Sequence, residues 1–157
     1  MTVLALDHFT IRTARVAETV TFFRDVVRLE AGWRPGFRFP GEWLYAAGKP
    51  LLHIVSLSDD DTELHAYLGE KGGCDGGGCI DHVSLRCQSL SDMQQHLLAV
   101  GQAFRERLVP EAGEHQLFLE DPNGVTIEMI FPFSADNAVV GAEMDRLAMR
   151  QDGEGAP

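Results

Sequence analysis

The chain carries one phrase twice, and that repetition limits its fold more than any other feature. The first copy is Leu6-Asp7-His8-Phe9-Thr10-Ile11-Arg12 and the second is Ile80-Asp81-His82-Val83-Ser84-Leu85-Arg86. Each has an apolar residue, Asp-His, an alternating tail and then Arg. The offset, 82 − 8 = 74 residues, is close to half of the 157-residue chain. Self-similarity at a fixed offset predicts two copies of one structural unit. The echo persists further along. His53 lies 53 − 8 = 45 residues after His8, inside Leu51-Leu52-His53-Ile54-Val55, and Glu128 lies 128 − 82 = 46 after His82, inside Val125-Thr126-Ile127-Glu128-Met129-Ile130. Each half therefore sets one metal-competent side chain near its start and another near its end.

The halves also share an order of elements. Residues 3–12 alternate, which predicts a strand with Phe9 and Ile11 on the greasier face and His8 on the other. Residues 16–29 switch to helical spacing through Val16, Val20, Phe23 and Val27, with Thr13 as the expected N-cap. Residues 31–57, punctuated by Gly and Pro, read as three short strands. The second half repeats this. A strand over 79–87 precedes a helix capped by Ser89 or Ser91 and ended by Gly101, and strands follow over 104–109, 115–120 and 125–131. Asp121-Pro122-Asn123-Gly124 is a tight turn. The expected divisions are a first βαβββ module over 1–57, an inter-module loop over 58–78, a second module over 79–132, and a tail over 133–157 with a short helix over 136–150. All belong to one α+β structural domain.

Divalent transition ions take nitrogen and oxygen donors converging from separate strands, and neutral imidazole is the commonest. His8, His53, His82 and Glu128 are the expected metal ligands; His8, His82 and Glu128 alone make the two-His-one-carboxylate set of non-haem Fe(II). Such a set leaves coordination positions open, as catalysis requires. His53 has two other readings, an acid/base group behind the ligands or a core residue. A carboxylate inside Ile-Glu-Met-Ile is costly to bury without a partner, so a cationic partner is expected at Glu128.

Other residues fill out the site. Arg12 and Arg86 occupy matching places and are expected either to bind an anionic substrate or to pair with carboxylates. His115 is a candidate proton shuttle or a rim residue. Trp33, Phe37, Phe39, Trp43 and Tyr45 are expected in the core or on a pocket wall. Cys74 and Cys79 fall at C-x4-C spacing in a glycine-rich loop; free thiols are expected over a zinc site, and the loop reads as a lid or a plain linker.

Charge excludes some partners. The formal net charge is −11, and an acidic surface repels phosphate backbones, so nucleic acid is not expected. No apolar run reaches 18 residues, which argues against a membrane partner. Three cysteines, an odd number, and an N-terminus without a leader pattern fit the reducing cytoplasm.

Residues 3–132 resemble the vicinal oxygen chelate superfamily, which includes glyoxalase I, extradiol ring-cleaving dioxygenases, methylmalonyl-CoA epimerase and the fosfomycin and bleomycin resistance proteins. The resemblance rests on Leu6-Asp7-His8, the Thr21–Val27 helix, Ile80-Asp81-His82-Val83 and the run from Phe118 to Glu128. It implies paired βαβββ modules that form a curled, partly open mixed sheet around a metal site, with helices outside. It places His8, His82 and Glu128 at ligand positions, and His53 where glyoxalase I carries a Glu. It also implies that Gln116 and Phe118 line the substrate pocket, and that the chain is a homodimer. Ring-cleaving dioxygenases carry a Tyr where this chain has Phe118. The expected activity is therefore a divalent-metal-dependent lyase or isomerase (Fe, Mn, Ni, Co or Zn) acting on a small substrate with vicinal oxygens through an enediolate- or catecholate-like intermediate. In that chemistry His53 or His115 moves the proton. The alternatives are an Fe(II) ring-cleaving dioxygenase and a drug-binding protein without catalysis.

Overall fold

The computed structural model describes residues 5–37, 39–57, 62 and 76–144. In it each copy of the repeat opens a sheet of its own. The first sheet holds β1 (Phe9–Thr13), β2 (Glu30–Ala31), β3 (Gly41–Ala46) and β4 (Lys49–Ser56), in the order β1-β4-β3-β2. β1 runs parallel to β4; β2 pairs antiparallel with β3, and β3 with β4. The second holds β5 (His82–Arg86), β6 (Arg105–Val109), β7 (Glu114–Glu120), β8 (Thr126–Pro132) and β9 (Ala142–Glu143), in the order β5-β8-β7-β6-β9. Both sheets are mixed and open, and helices accompany each, so the fold is α+β as expected.

By its internal contacts the chain forms two units. One takes the chain up to Val83 together with Glu120–Thr126; the other takes Ser84–Leu119 and the chain from Ile127 onward. In the first, Phe23, Leu44, Leu52 and Ile54 are wholly buried. In the second, Leu97, Leu117, Ile127 and Phe131 are wholly buried. Apolar residues of the strands, with Phe23 and Leu97 from the helices, supply these cores, since burying apolar surface removes it from water.

Several expectations shift. His8 stands just ahead of β1, which begins at Phe9 rather than at residue 3. The 16–29 helix is α-helical only over Val16–Thr21 (α1) and continues as a π-helical turn over Phe22–Val26. There Val27 N–H reaches the Phe22 carbonyl at 3.1 Å, and Phe22 and Phe23 fall into the core. Thr13 is not the N-cap; Arg15 is, although the Thr13 hydroxyl accepts the Arg15 N–H at 2.9 Å. The second helix, α2 (Leu90–Ala99), follows Ser89, which sits at φ 60 and makes no capping bond. Gly101, at φ 70, follows its end as expected. The tail helix is absent over the described part of the tail. There Ala142–Glu143 add to the sheet as β9, parallel to β6. Backbone pairing wins because β6 would otherwise leave a row of donors and acceptors open. Gly141 makes the approach possible, for a Cβ there would lie 2.6 Å from the Phe104 ring. Residues 58–61 and 63–75, most of the expected linker, and residues 145–150 of the tail lie outside the described residues.

The Asp121–Gly124 turn is tied into the first unit. Asp121, 5% exposed, accepts the N–H groups of Asn123 and Val125, each at 2.8 Å. Asn123 then accepts the Thr13 hydroxyl at 2.6 Å and donates to the Thr19 hydroxyl at 2.9 Å. Gly124 holds φ 77, which a turn of this kind reserves for glycine. Within the first unit the turn is thus fastened to Thr13 of β1 and Thr19 of α1.

Candidate functional site

The two Asp-His pairs adopt the same geometry. His8 Nδ1 lies 2.7 Å from Asp7 Oδ2, and His82 Nδ1 lies 2.7 Å from Asp81 Oδ1. Both imidazole side chains are 38% exposed. A carboxylate at Nδ1 favours the proton there and leaves the lone pair on Nε2, the arrangement that orients a histidine as a metal ligand. The hydrogen bond from His8 also holds the Asp7 carboxyl below its ordinary range, against a smaller opposing effect of desolvation.

His53 joins His8. Sheet register sets Thr10 and Trp43 on either side of His53, one on β1 and the other on β3. Its ring stacks on His8 with centroids 4.0 Å apart, and on Trp43 at 3.9 Å with the planes 4° apart. Its Nε2 is buried and has no hydrogen-bond partner among the described residues. Desolvation, reinforced by His8, lowers the His53 pKa, while Asp7 opposes the shift. The imidazole is thereby kept neutral with an unused nitrogen. Beside these rings opens a cavity of about 310 Å³, lined by Asp7, His8, Thr10, Trp43 and His53 and by the rings of Phe37 and Phe39. Of the aromatic region, Phe39 is buried and Trp43 half-buried, whereas Trp33 is 72% exposed.

Glu128 belongs to the second unit. It is 6% exposed and accepts a short hydrogen bond from the Ser84 hydroxyl. One face of the neighbouring strands is the more deeply buried. His115, Leu117 and Leu119 on β7, and Ile127, Met129 and Phe131 on β8, are at most 3% exposed. Strand alternation sets Gln116, Phe118 and Glu128 on the opposite face, where Phe118 and Glu128 are also buried, at 9% and 6%.

His115 is therefore not a rim residue. It is wholly buried, and its Nε2 lies 2.5 Å from the equally buried Glu106. Gln94 of α2 donates to the same carboxylate at 2.7 Å, so this face lies beneath the helix, away from Gln116 and Phe118. That setting suits packing rather than proton transfer. The signal was in the sequence, since His115 keeps phase with Leu117 and Leu119.

The arginines differ as well. Arg86 pairs with Glu114 at 2.9 Å, the alternative to anion binding that the sequence left open, and Gln116 donates to the other oxygen of Glu114 at 3.0 Å. Arg12 is half-buried on β1 opposite Val55. Arg107, which sequence reasoning passed over, lies above the Phe118 ring at 5.4 Å. Among the described residues no three His, Cys, Asp or Glu side chains are grouped so as to hold a metal ion. His8 and His53 are brought together. His82 pairs with Asp81, and Glu128 with Ser84.

The cysteines offer a separate check. Cys79 is exposed, and Cys74 lies outside the described residues, as does any pairing between them. Burial pushes the Cys87 thiol up to about 11. At pH 8 it stays protonated, and the thiol is a poor nucleophile. Iodoacetamide followed by peptide mass mapping should label Cys79 and spare Cys87 in native protein; equal labelling would contradict the burial.

Comparison with known proteins agrees with this architecture. One curated relative, "Glyoxylase I 4" of Arabidopsis thaliana, is 25% identical over 128 residues, covering 80% of this chain and 69% of that protein. A lactoylglutathione lyase from Agrobacterium tumefaciens shares the fold with a TM-score of 0.58 at 15% identity, over 81% of this chain and 92% of that one. TnmS3, an antibiotic binding protein from Streptomyces sp. CB03234, does so with a TM-score of 0.58 at 17% identity, over 85% and 99%. The model of the glyoxalase/bleomycin resistance protein/dioxygenase superfamily matches residues 5–129, most of the chain, and the chain belongs to that superfamily.

Proposed function

We propose that the chain is a divalent-metal-dependent enzyme acting on a small substrate with two neighbouring oxygens, with His8, His53, His82 and Glu128 as the ligands. The observation that carries this is the repeated Asp-His pair, at 2.7 Å in both copies. The buried Nε2 of His53 adds a second, since it is a donor atom whose cost of burial a metal would offset. Three imidazoles and a carboxylate suit Fe, Mn, Co, Ni or Zn. Convergence of His82 and Glu128 on the His8–His53 pair is part of the proposal.

When bound, such an ion supplies Lewis-acid stabilisation for negative charge developing on adjacent substrate oxygens. Asp7 and Asp81 fix the ring orientation and tautomer of His8 and His82. His53, kept neutral, offers Nε2 either as the fourth ligand or as the atom that takes and returns the substrate proton. Thr10, Trp43, Phe37 and Phe39 shape the cavity and exclude water from it. Proton movement without an added oxidant favours lyase or isomerase chemistry, and the phenylalanine at position 118 leaves ring cleavage by Fe(II) and oxygen as the lesser enzyme reading. A second class, a binder of small aromatic molecules, is favoured by one observation, the aromatic wall of the cavity.

The test is proton exchange. Protein reconstituted with each metal is incubated in D₂O with a panel of α-hydroxyketones and α-ketoaldehyde hemithioacetals, and loss of the α-proton is followed by NMR. We expect exchange that EDTA abolishes. Metal-dependent oxygen uptake with catechols and no exchange would replace the lyase reading with the dioxygenase. Binding of aromatic probes with no metal dependence and no turnover would overturn the enzyme altogether.

A further inference from the structure

We propose that Arg107 is an anion anchor, and that the substrate carries a carboxylate apart from its reacting oxygens. The inference rests on the metalloenzyme reading for the identity of the site, but its observations lie wholly in the second unit.

Arg107 is set directly opposite Gln116 in the β6–β7 register, while Glu106 is set opposite Leu117. Arg107 therefore shares a face with Gln116 and Phe118, and Glu106 takes the face beneath α2. Strand alternation sets Glu128 on the face opposite Ile127 and Met129, as it sets Gln116 and Phe118 opposite His115, Leu117 and Leu119. Arg107 thus emerges on the sheet face that carries a proposed ligand.

Among the described residues no carboxylate is paired with Arg107. The guanidinium rests 5.4 Å above the Phe118 ring, a cation–π contact that holds it without cancelling its charge. Its Nε is buried and has no hydrogen-bond acceptor among the described residues. Glu114 shares this face, set opposite Val109 two residues from Arg107. Both of its oxygens are engaged, one by Arg86 at 2.9 Å and the other by Gln116 at 3.0 Å. The first half offers a contrast. Arg34 lies 34 − 8 = 26 residues after His8, as Arg107 lies 107 − 82 = 25 after His82. Arg34 also stacks on rings, 5.2 Å from Phe37 and 5.0 Å from Phe39, but it spends Nη2 on the Phe39 carbonyl at 2.8 Å.

A flat guanidinium, set over an aromatic ring and without a hydrogen-bond partner among the described residues, matches the planar fork of a carboxylate. In a chain with a net charge of −11, a cation on this face that no described carboxylate pairs is also a local attractor for an anion.

The test is calorimetric titration with benzoate and with benzamide, its neutral isostere, on EDTA-treated and on Co²⁺-loaded protein. Wild type should bind benzoate in both forms, weakening as salt rises, and should not bind benzamide. Arg107→Gln should lose about tenfold or more in benzoate affinity. Arg107→Lys, which keeps the charge but not the fork, should fall between. Arg24→Gln, which removes a charge already paired with Asp25 on the first-half helix, should bind as wild type does. Circular dichroism confirms that each variant is folded, and Arg107→Lys keeps the test open if the glutamine variant is not. Equal benzoate affinity in wild type and in the folded Arg107 variants, equal binding of benzamide, or an equal loss in Arg24→Gln would each overturn the proposal. Benzoate binding that survives where no cobalt binds would fail the metal reading alone.

Discussion

Glu106→Ala should destabilise the protein by about 3–5 kcal/mol, with the loss centred on the second unit. The Glu106 carboxylate is wholly buried. Its Oε2 lies 2.7 Å from Gln94 Nε2 and 2.5 Å from His115 Nε2. Its Oε1 accepts the backbone N–H groups of Val140 at 2.9 Å and Gly141 at 2.5 Å. One side chain thus satisfies donors from α2, from β7 and from the segment that leads into β9. Alanine leaves the wholly buried His115 without that acceptor and frees the N–H groups of Val140 and Gly141, while Gln94 keeps the Ala138 carbonyl at 2.8 Å; each stranded buried donor costs about 1–3 kcal/mol. His115 cannot compensate, because its Nδ1 is buried without a partner among the described residues while its Nε2 faces the carboxylate. Glu106→Gln keeps the shape but turns an amide donor toward other donors, and it should cost less than alanine. Urea unfolding measures both, and limited proteolysis should find the chain near Val140 cut first. A midpoint unchanged in Glu106→Ala would show that the network contributes no net stability.

The second large effect concerns metal affinity. Loss of His8, His53, His82 or Glu128 should weaken metal binding by a hundredfold or more. Asp7→Ala and Asp81→Ala should each cost about 10–100-fold, the range found when a group that orients a ligand is removed. The two aspartates should behave alike, since their histidine contacts are the same length and the histidines are equally exposed. Neither aspartate is buried, at 90% and 95% exposure, so neither substitution should affect stability. That separation distinguishes a carboxylate that orients a ligand from one that merely decorates a loop.

How much of this was legible in the sequence varied with the range of the interaction. The repeat gave the strand and helix order because period two and helical spacing are local signals. Three short strands between residues 30 and 57 emerge as β2, β3 and β4 for that reason. The tail did not follow. Val139, Val140, Met144 and Leu147 share helical spacing, but an open β6 edge and a buried carboxylate held the described part of the tail extended. Glu106 stands between two charged residues in Arg105-Glu106-Arg107. Nothing nearby signals burial, because its partners lie 9, 12, 34 and 35 residues away. The stack of Trp43 on His53 needed strand register, which a single sequence does not give. The Asp-His pairs were legible at once, since their partners are adjacent in the chain.

The most direct measurement is a Co²⁺ titration followed by visible absorption, on wild type and on His8→Ala, His53→Ala, His82→Ala and Glu128→Ala. We expect one cobalt per chain in wild type, with ligand-field bands that are lost or displaced in every one of the four variants. No saturable uptake by the folded wild-type protein, or bands that persist unchanged through all four substitutions, would contradict the shared metal centre.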